Sequence, residues 1–203
     1  MIGRSCRPTG TVGCQRPSQS REERMADTTW SSVSAPYVRP RKSGEPDAWA
    51  EEAAQRGHVG THQLREVCEV QPPREVAQAL NLSQGDVAVV RRRLVLLDGR
   101  PIELTDSYYP VAIASGTPLA ETRKIPGGAI TMLAKLGHEP RETEEGVRAR
   151  PATDQERQLL EIQPEEWVLV LTRILRTDNG APIEATVMTM IADGRELRYK
   201  MIM

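Results

Sequence analysis

Val87-Ala88-Val89-Val90-Arg91-Arg92-Arg93-Leu94-Val95-Leu96-Leu97-Asp98-Gly99-Arg100-Pro101-Ile102-Glu103 is the stretch on which the reading of this chain turns. Val87–Leu97 is dominated by β-branched and aliphatic residues, which suit a pleated surface, and Asp98-Gly99 is a two-residue hairpin signal. Pro101 to Tyr109 supplies the return strand. Alternation puts Val87, Val89, Arg91, Arg93 and Val95 on one face of the first strand, with Ala88, Val90, Arg92, Leu94 and Leu96 on the other. Upstream, Leu64–Val70 reads as a strand, and Pro72-Pro73-Arg74-Glu75 opens a short helix through Leu82.

The same order of elements recurs about eighty residues later. Glu145–Arg150 reads as a strand, and Thr153-x-x-Glu156 is a capping box opening a helix through Ile162. Trp167–Thr177 is a β-run, Asp178-Asn179-Gly180 a turn, and Pro182–Ile191 a return strand. Leu80 then matches Leu160, Leu82 matches Ile162, Val90 matches Val170, Arg93 matches Arg173 and Asp98 matches Asp178. One extra residue in the second turn sets Pro101-Ile102-Glu103 on Pro182-Ile183-Glu184. A tripeptide repeated in register after helix, strand and turn points to a duplicated unit. Two such units predict an α+β fold: one antiparallel sheet of about six strands, a pseudo-twofold axis, and helices on one face. Arg195–Ile202 reads as a last strand, and Ala129–Leu136 as an apolar helix entered through Pro126-Gly127-Gly128.

Composition sets the frame around this unit. The chain has 203 residues, 38% hydrophobic and 27% charged, as a soluble globular protein does. Aromatics are 3% with no Phe, so the core is to be built from aliphatics and Met. No apolar run approaches the ~20 residues that cross a bilayer, which speaks against a membrane partner. Cys6, Cys14 and Cys68 are too few and too scattered for a disulfide framework, so a reducing cytoplasm is expected. His58 and His62 lie beside Gly57 and Gly60 with no third ligand in reach, so no metal site is expected.

Residues 1–46 differ from the rest. Twenty of them are Pro, Gly, Ser or Thr, and eight are basic against four acidic, whereas residues 47–203 are net −5. This reads as a disordered basic tail ending at 46, followed by one domain over 47–203. Arg21-Glu22-Glu23-Arg24 before Met25 also has the form of a translated ribosome-binding sequence, which would make Met25 the start and residues 1–24 a leader. Asp47 is placed to cap a helix that Gly57 stops.

The chemistry-bearing candidates are few. Both faces of Val87–Leu97 are otherwise apolar, so an arginine there needs a carboxylate or an anionic ligand. Two readings stay open: a structural Arg93–Glu103 pair, or a pocket in which Arg91 and Arg93 grip a carboxylate or phosphate. Pro126-Gly127-Gly128 ahead of a helix either aims backbone N–H groups at an anion or is a plain turn. Ser107-Tyr108-Tyr109-Pro110 adds hydroxyls at the strand end. No catalytic triad, Cys–His pair, zinc spacing, phosphate loop or dinucleotide fingerprint appears, and no cofactor is indicated.

Val89 through Pro110 resembles the effector-binding (UTRA) domain of HutC-type GntR transcription regulators, in its actinobacterial style. So do Ile125-Pro126-Gly127-Gly128-Ala129, Glu144 through Thr153, and Arg173 through Glu184. The likeness covers residues 60–203. It implies a chorismate-lyase-like fold, a small, anionic metabolite as ligand, a homodimer, and no enzymatic activity. It places ligand contacts on Arg91, Arg93, Glu103, Gly128 and Glu184. Sugar-phosphate-binding members carry Ser and Tyr where this chain has Ala129 and Thr131, which speaks against a phosphosugar and leaves an anion site. The winged helix-turn-helix that precedes this domain in the family has no counterpart in residues 1–60, so DNA contact is expected only weakly or through a partner chain. A lyase-like enzyme and a plain dimerisation module on the same fold are the rival readings.

Overall fold

The computed structural model describes residues 29–42 and 45–200. Six strands form one antiparallel sheet in the order β2-β3-β4-β7-β6-β5. They are β2 (Gly60–Val70), β3 (Ala88–Leu97), β4 (Arg100–Pro110), β5 (Glu142–Pro151), β6 (Trp167–Arg176) and β7 (Pro182–Ile191). The two hairpins, β3–β4 and β6–β7, meet at the centre, where Ser107 of β4 lies opposite Thr186 of β7. The predicted duplication is therefore the frame of the sheet, with its pseudo-twofold between β4 and β7.

Local sequence explains why each unit closes. Asp98 and Gly99 both hold positive φ (51° and 77°), as a two-residue hairpin turn of this twist requires. The helix of each unit ends on a left-handed residue at the matching place, Asn81 (φ 55°) and Glu161 (φ 56°). These helices are α2 (Arg74–Ala79) and α5 (Asp154–Leu160), and α5 starts in the Thr153/Glu156 capping box. Helix α1 (Ala48–Gln55) is capped by Asp47, whose carboxylate accepts from the Ala50 N–H at 2.9 Å. A single turn, α3 (Val111–Ala114), and α4 (Gly128–Lys135) follow the first hairpin.

The helices do not share one face, and that expectation is corrected. Val76 and Leu80 pack against Ala88, Val90 and Tyr108, and Leu160 packs against Val168 and Val170, so the repeated pair covers one side. Trp49 and Ala53 of α1 meet Val95, while Leu133 of α4 meets Val89, Tyr109 and Leu175 on the other. The cause is visible in β3, which carries apolar side chains on both faces, Val89, Val95 and Leu97 on one and Ala88, Val90, Leu94 and Leu96 on the other, so both need cover.

The tail boundary also moves. Within the expected disorder, β1 (Trp30–Ser32) pairs in parallel with β8 (Arg195–Leu197), and Ala35–Val38 forms a 3-10 turn. The last strand thus comprises three residues rather than running to Ile202, which lies outside the described residues together with residues 1–24, read above as a leader, and Met25. Among the described residues, no helix is long and apolar enough to cross a membrane.

Candidate functional site

One side of the sheet carries a cavity of about 180 Å³, between the sheet, α4 and the segment 30–42. Four of the five residues singled out in the sequence line it: Arg93, Glu103, Gly128 and Glu184. Their strand positions explain this. Arg93 of β3 is opposite Thr105 of β4, and Arg173 of β6 is opposite Thr186 of β7. Glu103 and Glu184 stand two residues before those threonines and so share their face.

The polar floor is wired across the centre. Arg93 Nη2 donates to Ser107 Oγ at 2.8 Å, the Ser107 and Thr186 hydroxyls are 2.9 Å apart, and Thr186 Oγ1 donates to Glu184 Oε1 at 2.5 Å. Because Thr186 spends its proton on Glu184, Ser107 donates to Thr186 and accepts from Arg93. The chain of donors therefore runs one way, from guanidinium to carboxyl, and each link polarises the next. Glu103 is held by its own threonine, Thr105 Oγ1 donating to Glu103 Oε1 at 2.6 Å. Arg93 makes no ion pair with Glu103 among the described residues, so the structural Arg–Glu pair within the hairpin does not form. Two buried polar atoms have no partner there, Arg93 Nε and Glu184 Oε2. Beneath them burial pushes the Tyr109 hydroxyl far above its usual value, and the charge of Glu184 pushes it further.

Arg173 is treated differently. Its Nε donates to Glu145 Oε1 at 2.5 Å, with both side chains about nine-tenths buried, and Ser34 Oγ donates to the other oxygen at 2.8 Å. Burial opposes the Glu145 charge, but the guanidinium outweighs it and holds the carboxyl below its usual range. Glu145 lies opposite Arg173 on β5, where Leu64 lies opposite Arg93 on β2. Arg91, the fifth residue, does not reach the cavity. Its guanidinium donates to the carbonyls of Pro118, Leu119, Glu121 and Arg123 at 3.3, 3.0, 2.6 and 2.9 Å, clamping the loop that leads to α4.

The roof comes from residues that composition assigned to the tail. Trp30 Nε1 donates to Glu52 at 2.8 Å, Ser32 Oγ donates to the same oxygen at 3.1 Å, and Tyr37 donates to its second oxygen. Arg41 pairs with Glu51, and its backbone N–H donates to Thr131 Oγ1 at 2.9 Å. At the α4 entrance Gly127 and Gly128 hold φ of 77° and 81°, and Thr131 Oγ1 donates to the Gly127 carbonyl at 2.6 Å. The signal for this roof was the scarcity of aromatics: Trp30 and Tyr37 are unusual company for a solvated tail. His62, also on the wall, has Nε2 3.5 Å from Asp47, which burial raises but the His62 and Ala50 hydrogen bonds bring down to about 2. Among the described residues there is no cluster of His, Cys, Asp and Glu that could hold a metal.

An α+β sheet duplicated about β4 and β7, with charged groups from both halves turned into one cavity, is an arrangement with known relatives. Residues 55–194 match the UTRA domain family. The chain belongs to that family. An uncharacterized HTH-type transcriptional regulator of Streptomyces coelicolor is 32% identical over 138 residues, covering 66% of this chain and 51% of its own length. The chain thus spans about half the length of that relative. The effector domain of PhnF from Mycobacterium smegmatis superposes with a TM-score of 0.66 at 18% identity, over 81% of this chain and 99% of its own. The ligand-binding domain of a GntR-family transcriptional regulator from Bordetella bronchiseptica gives 0.63 at 21%, over 82% and 96%. These relatives are described as a transcriptional regulator and as effector and ligand-binding domains of regulators.

Proposed function

We propose that this UTRA domain senses a small anionic metabolite and controls transcription through a DNA-binding domain carried elsewhere, as a HutC-type regulator in the cytoplasm. The observation that supports this most is the floor of the cavity: Arg93 reaches it without an ion-pair partner, beside Glu103, Glu184, the apolar side chains of β6 and β7, and the glycine entrance of α4. A guanidinium so placed recognises carboxylate or phosphate through paired N–H bonds.

A thermal-shift screen of the full chain against sugar phosphates and small carboxylates tests the reading. A ligand at a hundred times its dissociation constant adds ~2.7 kcal/mol, an easily read rise in melting temperature. A hit that is bound without turnover and lost in Arg93→Met supports sensing; product formation would favour the lyase-like alternative. The same sample in the ultracentrifuge is expected to sediment at twice the chain mass, as a symmetric homodimer.

A further inference from the structure

Among the charged side chains that β3, β4, β6 and β7 turn into the cavity, negative charge exceeds positive once internal pairing is taken into account, while Arg39, Arg41 and Arg195 line it from the segment 30–42 and β8. Arg173 is neutralised by Glu145, which leaves Arg93 facing Glu103 and Glu184. Glu184 is 6% exposed, and one of its carboxyl oxygens has no partner among the described residues. A buried carboxyl oxygen without a donor costs the desolvation of that group, and a ligand that brings a donor recovers it. A plain anion would satisfy Arg93 Nε and leave Glu184 Oε2 as it is. It would also add a third negative charge beside Glu103 and Glu184.

We propose, resting on the sensing role argued above, that the ligand is zwitterionic: a compact amino acid with its carboxylate on Arg93 and its ammonium on Glu184, assisted by Glu103. The floor also sets the length. Arg93 Nη2 and Glu184 Oε1 are joined by links of 2.8, 2.9 and 2.5 Å through Ser107 and Thr186, so they lie within about 8 Å of one another. A ligand seated between them has room for only a short carbon chain between its charges. The apolar wall of Leu171, Leu175, Met188 and Met190 then takes the rest of the molecule.

Calorimetric titration of the full chain with matched probes decides this. The probes are the 2-, 4- and 6-amino acids of the butyrate and hexanoate series, against butyrate and hexanoate, the corresponding hydroxy acids, and butylamine and hexylamine. At least one amino acid is expected to bind about tenfold or more tighter than its plain acid, its hydroxy acid and its amine, the margin of one charged hydrogen bond. Glu184→Gln should erase the preference over the plain acid, and Glu103→Gln should reduce it. Arg93→Met should weaken acid and amino acid alike. Plain acids binding as tightly as amino acids, with the binding lost in Arg93→Met, would overturn the zwitterion while leaving the anion-sensing role intact. Equal binding of hydroxy acids would overturn the ammonium, and an amino-acid preference unmoved by Glu184→Gln would overturn the placement. Failure of every probe to bind also overturns it.

Discussion

Arg93 and Arg173 occupy equivalent positions in the two repeats, each opposite a threonine, yet Arg173 is closed by the Glu145 carboxylate while Arg93 is held by the Ser107 hydroxyl. The duplication gives them the same strand and the same face. The outer strands give them different neighbours, Leu64 on one side and Glu145 on the other.

This asymmetry separates two substitutions that the repeat would make equal. Arg173→Met leaves Glu145 as an unpaired buried carboxyl, and stability in urea is expected to fall by ~3–5 kcal/mol. Arg93→Met removes a single hydrogen bond to a hydroxyl, with a cost of ~1 kcal/mol, while affinity for an anionic ligand falls by ~1.5–3 kcal/mol. Equal losses of stability in the two variants would contradict the assignment.

Arg91 is expected to matter for the fold rather than for ligand contact. Arg91→Met leaves the Leu119 carbonyl and its neighbours without their shared donor, and ~2 kcal/mol or more of stability should go with it. Hydrogen exchange should quicken first at residues 118–124, the loop it clamps. A variant that keeps wild-type exchange there would show the clamp to be idle.

The two glycines at the α4 entrance are not equivalent. Both have positive φ, which costs an alanine ~1–2 kcal/mol. At Gly128 nothing lies within 4 Å of an added Cβ, whereas at Gly127 it would meet Thr131 at 3.1 Å. Thr131 cannot turn aside freely, since its hydroxyl donates to the Gly127 carbonyl and accepts from Arg41. Gly127→Ala should therefore be the more destabilising of the two in chemical denaturation, and Gly128→Ala close to the simple backbone cost.

Acid sensitivity should trace in part to Glu156. Its bonds to Arg150 lower its pKa first, and despite burial it falls from 4.5 to about 2 with help from the Thr153 N–H. A carboxyl with a depressed folded-state pKa contributes stability above its unfolded pKa and loses it as pH falls through the folded one. Glu156→Gln keeps a side chain that can close the capping box and removes the titration. Wild type should lose its advantage over this variant between pH 4.5 and about 2, followed by thermal melts across that window.

Much of this was legible in the chain because its signals are local. Asp98-Gly99, the Thr153/Glu156 box and the alternation of β3 act over a few residues, and the in-register Pro-Ile-Glu tripeptides carried the duplication. Alternation also brought Arg93, Glu103 and Glu184 to one face. It could not separate Arg91 from Arg93, since the two share that face and differ only in what loop lies above them. Nor could it find Glu145, whose pairing with Arg173 depends on the register of a strand 28 positions away. Segment 30–42 was unreadable for the same reason: its order comes from Glu52, Glu145 and β8, not from its own Pro- and Ser-rich composition.

The parallel pairing of β1 with β8 puts Trp30 beside Arg195, each close to an end of the described chain. Such a contact closes a loop of most of the protein, the slowest kind to form. During synthesis both hairpins can be complete while the N-terminal segment still waits for its partner strand to emerge. The cavity is thus expected to gain its roof only after the hairpins of the sheet have closed.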